Sequence, residues 1–185
     1  MLEAFLVSTG VVALAEMGDK TQLLALLLAA RFRRALPVVA GIFVATLVNH
    51  AIAAWLGAGI AEAIGREALR WILGLSFLAM AGWTLIPDHI EAGKKPRGRF
   101  GAFGTTLIAF FLVEIGDKTQ IATIALAANY ASVAAVVAGT TLGMMIADVP
   151  AVYLGERILR RIPMRLLQRI AAVAFAVLGV LVLLA

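Results

Sequence analysis

Six long apolar runs, separated by short breaks that are charged or rich in glycine and proline, make up almost the whole chain. They predict six helices, over residues 4–30, 36–60, 69–86, 101–128, 132–155 and 166–184. Each is close to the roughly 20 mostly apolar residues that a membrane-crossing helix requires. The breaks fall at residues 31–34, 62–70, 87–100, 129–131 and 156–165. Of these, only 87–100 has the composition of a linker, with Pro87, Gly93, Pro96 and Gly98 among its basic residues. The opening MLEAFLVSTG carries an acid, Glu3, and no basic run before its apolar stretch, so it reads as the first span and not as a cleavable signal.

Composition agrees with the pattern. The 185 residues are 63% hydrophobic and 15% charged, with a mean hydropathy of +1.00. A soluble domain is about 45–50% apolar and about 25% charged. The expected fold class is therefore an all-α integral membrane protein forming a single membrane domain over 1–185. With no cysteine, disulfides and thiolate chemistry are excluded. No stretch outside the predicted spans is long enough for a soluble catalytic domain.

A net charge of +5 would point to nucleic acid if the basic residues shared a folded face, but they sit between the spans. Eleven Lys and Arg residues lie in the breaks after the first, third and fifth helices, against two, Arg66 and Arg70, on the other side. Basic loops stay cytoplasmic. The expectation is thus a multi-pass protein with both termini on the outer face, a cytoplasmic loop at 87–100 and no nucleic-acid partner.

The chain is internally repeated. EMGDKTQ at 16–22 returns as EIGDKTQ at 114–120, and aligning 2–87 with 100–185 without a gap gives 25 identities in 86 positions. Each half, 1–87 and 100–185, is then a three-helix unit, joined by a basic linker at 88–99. An odd number of spans inserts the second unit upside down, the inverted repeat of secondary transporters, whose sites lie at the midplane between repeats. A duplicated bundle without a transport role would share this geometry.

The repeated motifs place Glu16, Asp19, Glu114 and Asp117, with Lys20 and Lys118, at mid-depth in the first and fourth helices. If those helices are continuous, Glu16 and Asp19 share a face, as do Glu114 and Asp117. A charge at bilayer depth costs at least about 2.5–3.5 kcal/mol, which argues for a task. One candidate is i,i+4 bridging, Glu16 with Lys20 and Glu114 with Lys118. The two-to-one excess of acid over base favours a mobile cation instead. Carboxylates, the Gln22 and Gln120 amides and the Thr21 and Thr119 hydroxyls are all oxygen donors, the set that hard divalent ions such as Ca²⁺, Mg²⁺ and Mn²⁺ accept. Gly18 and Gly116 would permit a helix break that bares carbonyls, or else close helix packing. At the same offset His50 matches Asp148, with Asn49 alongside; these are candidates for proton relay or for support of the site, together with Lys20 and Lys118. Crowded carboxylates hold either a cation or protons, and that competition suffices for exchange.

The paired E-x-G-D-K-T-Q motifs resemble the E-x-G-D-[KR]-[TS] signature of uncharacterised protein family 0016, which includes the Golgi transmembrane protein 165 and bacterial manganese exporters, within the second calcium/cation antiporter superfamily. The resemblance covers essentially the whole chain. It implies that the motif acids are cation ligands and that the protein moves Mn²⁺ or Ca²⁺ against protons, exporting metal from the cytoplasm. The short central loop suits a compact bacterial type in the inner membrane. On this reading the protein is no enzyme, needs no resident cofactor, and has the metal ion and the lipid bilayer as partners; a homodimer stays open. A passive divalent-cation channel would use the same acids as a selectivity ring. A membrane enzyme acting on a lipid phosphate finds no Ser/His pair or Arg cluster beside the acids.

Overall fold

The computed structural model describes residues 1–86, 100–155 and 164–184. Every regular element among the described residues is a helix: α1 (Leu2–Glu16), α2 (Lys20–Phe32), α3 (Ala35–Ala63), α4 (Arg66–Thr84), α5 (Gly101–Glu114), α6 (Lys118–Asn129), α7 (Val133–Leu154) and α8 (Met164–Leu184). Four of the six predicted helices appear within a few residues of their expected ends. The first and fourth do not form as single helices. Each is cut at its E-x-G-D motif, giving α1 with α2 and α5 with α6. The basic linker at 88–99 and most of the basic segment at 156–165 lie outside the described residues.

Three helices, Ala35–Ala63, Val133–Leu154 and Arg165–Leu184, are long and apolar enough to cross a bilayer. Side chains are distributed inside out. Phe43, Leu47, Ile52 and Leu56 of α3 and Val173, Val177 and Leu181 of α8 face outward, an apolar exterior that water would not tolerate. Trp55, Trp71 and Trp83 are exposed too. Meanwhile Glu16, Asp19, Asn49, His50, Glu114, Asp117, Lys118 and Asp148 are buried.

Small residues let the helices approach closely. A Cβ on Gly41 of α3 would stand 2.9 Å from the Phe103 carbonyl oxygen of α5, and one on Gly139 of α7 would stand 2.5 Å from the Phe5 carbonyl oxygen of α1. These two contacts are equivalent under the 98-residue offset, and α1 packs on α7 as α5 packs on α3.

The apolar interior divides into two clusters. One contains Val11 of α1, Phe77 of α4, Leu126 of α6, Val136 of α7 and Phe175 of α8; the other contains Leu28 of α2, Ile42 of α3, Phe110 of α5 and Val152 of α7. The α1–α2 pair leads from the first cluster to the second, and α5–α6 leads from the second to the first. Likewise α3 passes from the second cluster to Ala54 in the first, and α7 runs the opposite way. On all four of these paths the buried charged and amide side chains fall in the stretch between the clusters.

Candidate cation site

The helix break is written into the motif. Met17 has φ −64° and ψ 115°, Gly18 has φ 85°, and the Asp19 N–H donates to the Glu16 carbonyl oxygen at 3.0 Å. That is a type II turn, whose third residue needs positive φ and therefore favours glycine. The second copy repeats it: Ile115 at φ −61° and ψ 118°, Gly116 at φ 76°, and Asp117 N–H to Glu114 O at 3.1 Å. Asp19 and Asp117 then stand at the N-caps of α2 and α6. Three residues into each helix a glutamine turns back, so that Gln22 Oε1 accepts from Gly18 N–H at 3.0 Å and Gln120 Oε1 from Gly116 N–H at 2.7 Å. This is a variant of the capping box, in which the third helical residue satisfies a donor that the helix start leaves open. Gln22 Nε2 also donates to the Ala147 carbonyl of α7 at 3.0 Å, tying the first break to the opposite half.

The turns bring the two motifs together. Lys20 Nζ lies 2.8 Å from Asp117 Oδ1, and Lys118 Nζ lies 3.0 Å from Asp19 Oδ1. The i,i+4 alignment of Glu16 with Lys20 and of Glu114 with Lys118 needs a continuous helix, which the turn removes. Each lysine instead reaches the aspartate of the other half, so the pairs staple half to half. Glu16, Asp19 and Asp117, all buried, present carboxylate oxygens within 4.8 Å of one another. A carboxylate has lone pairs enough to accept from a lysine and still face a cation.

Glu16 and Glu114 occupy equivalent backbone positions but different surroundings. Glu114 Oε1 accepts from Thr46 Oγ1 at 2.5 Å and its Oε2 from Asn49 Nδ2 at 2.8 Å, both from α3. At the matching positions of α7 stand Met144 and Ala147, which carry no such donor. Accordingly neither Glu16 oxygen has a hydrogen-bond partner among the described residues. The carboxylates closest to Glu16 in the cluster are those of Asp19 and Asp117.

Of the remaining candidates, Thr21 is buried with its hydroxyl unpartnered, and Thr119 Oγ1 donates to Asp117 Oδ2 at 3.3 Å. Asp148 and His50 are fully buried with no hydrogen-bond partner among the described residues. Glu114, Asp148 and His50 are not in the cluster formed by Glu16, Asp19 and Asp117. Sequence reasoning missed Thr46. The signal was present, since Thr46, Asn49 and His50 form an i, i+3, i+4 polar stripe in an otherwise apolar span.

A family model described as "Divalent cation/proton antiporter GDT1" matches residues 4–92 and again 102–185. A Vibrio cholerae protein named "Putative manganese exporter" is 48% identical over 180 residues, covering 97% of this chain and 90% of that protein. A GDT1-like protein of Synechocystis is 32% identical across 97% of this chain and 96% of its own length. GDT1-like protein 3 of rice is 29% identical across 95% of this chain and 71% of its own. No solved structure matches.

Proposed function

We propose that this chain, which belongs to the GDT1 family of divalent cation/proton antiporters, is a secondary active exporter that moves Mn²⁺, Ca²⁺ or both out of the cytoplasm in exchange for protons. The family is one of cation transporters and not of enzymes, in keeping with the resemblance read from the paired motifs. The observation that carries the reading is the buried carboxylate cluster of Glu16, Asp19 and Asp117, assembled from two helix breaks and surrounded by more acid than base. In this reading those three residues and Glu114 bind the cation. Thr21, Thr119 and the amide oxygens of Gln22 and Gln120 supply further oxygen donors, Asn49 and His50 support the site, and Asp148 with the two lysines adjusts its charge.

Metal and protons compete for one set of carboxylates, so each displaces the other, and presenting the set to alternate faces couples their flows. The membrane arrangement belongs to the proposal as well. Residues 1–87 and 100–185 form two inverted three-helix repeats in one membrane domain, α1–α2 and α5–α6 each count as one broken span, and the termini face outward from a bacterial inner membrane. Supporting it are the family model matching each half separately and the opposite senses in which equivalent helices run between the two apolar clusters.

The test uses purified protein in liposomes with a trapped pH dye under a clamped membrane potential. Added Mn²⁺ or Ca²⁺ should enter as protons leave, and Glu16→Gln and Asp117→Asn should abolish both flows while still inserting and folding. Metal entry without proton movement would favour a channel. Wild-type flux in both variants would remove the carboxylates from the site.

A further inference from the structure

Met144 is fully buried, yet it belongs to neither apolar cluster. On α7 it falls between Val136 in one cluster and Ala151 in the other, in the stretch that also carries Asp148. Asp148 is four residues on, so the two side chains share a helix face. Ala147, next to Asp148, takes the Gln22 amide through its carbonyl, which fixes this part of α7 against the first break.

The repeat supplies the decisive comparison. The residue matching Met144 in the first half is Thr46, whose hydroxyl bonds Glu114 directly. The two E-x-G-D turns have the same backbone form, and α7 packs on α1 as α3 packs on α5. The repeat thus pairs position 144 with Glu16 as it pairs position 46 with Glu114. Where one half has a hard hydroxyl, the other has a thioether.

Resting on the cation-site reading above, we infer that Met144 is a specificity-determining residue whose thioether sulfur contacts the metal bound at Glu16, favouring a transition-metal ion over Ca²⁺. Thioethers suit softer ions, and Ca²⁺ takes oxygen ligands almost exclusively. Mn²⁺ is a hard ion too, but as a transition metal it excludes sulfur less strictly than Ca²⁺ does, so one sulfur among oxygens shifts the preference without closing the site to either ion.

Met144→Leu keeps the volume and apolar character and removes only the sulfur, a swap that cores usually tolerate. Met144→Thr copies the other half and replaces the soft donor by a hard one. Mn²⁺, Cd²⁺ and Ca²⁺ uptake would be measured in proteoliposomes for wild type and both variants. The expected result is a rise of about tenfold in the apparent KM for Mn²⁺ in Met144→Leu, the scale on which partners of a metal site act. The rise should be larger for Cd²⁺, with Ca²⁺ within about twofold of wild type, and Met144→Thr should move the preference the same way. An unchanged Mn²⁺-to-Ca²⁺ ratio in a variant that transports overturns the inference and leaves the antiporter reading standing. Equal losses for all three ions assign Met144 to packing and overturn it as well. Failure of wild type to move any of these ions overturns both.

Discussion

Removing the charge from one lysine of each staple separates the two halves of the site energetically. The Lys118 side chain is 2% exposed and its partner Asp19 is fully buried, whereas the Lys20 side chain is 30% exposed against a buried Asp117. Taking away one member of a buried pair leaves an uncompensated charge and costs about 3–5 kcal/mol. A pair with one partly exposed member loses less on burial and falls toward the surface value of about 0–1 kcal/mol. Met approximates the lysine stem without its charge. For a chain of this size about 2–4 °C of Tm accompanies each kcal/mol, so Lys118→Met should lower the Tm by about 6–20 °C and Lys20→Met by less than about 4 °C. Thermal unfolding of the detergent-solubilised protein, followed by tryptophan fluorescence, reads both. A second substitution adds a check, because replacing a whole buried pair by apolar side chains is often neutral. Asp19→Leu combined with Lys118→Met should regain most of the lost stability while transport stays abolished. Equal shifts for the two lysines, or a larger one for Lys20, would refute the argument from burial.

Gly116→Ala should cost about 1–2 kcal/mol in unfolding experiments, through backbone strain alone, because φ is 76° and no atom lies within 4 Å of the added methyl. Gly57→Ala has the opposite origin: its Cβ would run into the Ile124 carbonyl of α6, so the loss should come from overpacking, about 1–3 kcal/mol, and should be accompanied by a displaced α6 in cross-linking between the two helices. Thr46→Val removes a hydrogen bond to a buried carboxylate and should destabilise by about 1.5–3 kcal/mol in a denaturant titration, with a changed apparent KM for metal. If protons and metal compete for the same carboxylates, as proposed above, acidifying the side from which metal binds should raise the apparent KM for Mn²⁺; a KM independent of pH would separate the proton site from the metal site.

Much of the fold was legible because lipid and water sort residues so sharply. The apolar runs located α3, α4, α7 and α8 within a few residues of their ends. The breaks in the first and fourth helices were harder, since Met17 and Ile115 are themselves apolar and hydropathy averaged over a span cannot register a turn so short. The glycines were the available sign, but a glycine in a span serves close packing equally well, as Gly41 and Gly139 do here. The carboxylates of the cluster were named from sequence because they repeat. Their pairing was not legible, because Lys20 and Lys118 each have an aspartate one residue away, and only the assembled halves bring the other one nearer. Thr46 was missed although it shares a face with Asn49 and His50, because a threonine in a span can equally bond its own helix backbone, as Thr84 and Thr123 do.

The motifs agree in sequence and backbone while their surroundings differ, and that difference has energetic consequences for a transporter built from two halves. Were the halves identical, exchanging their conformations would give two states of equal energy. Here Glu114 can leave its place only by breaking bonds from Thr46 and Asn49. A hydrogen bond to a charged group contributes about 1.5–3 kcal/mol net, so the restraint on Glu114 amounts to several kcal/mol. Glu16 has no such donors among the described residues and lies in the carboxylate cluster with Asp19 and Asp117 instead. On the exchanger reading, Glu16 is therefore the carboxylate free to follow a cation, and Glu114 the one that must be released. On the same reading, the divergence between Thr46–Asn49 and Met144–Ala147 sets the relative energy of the two states, while the repeated turns set the geometry they share.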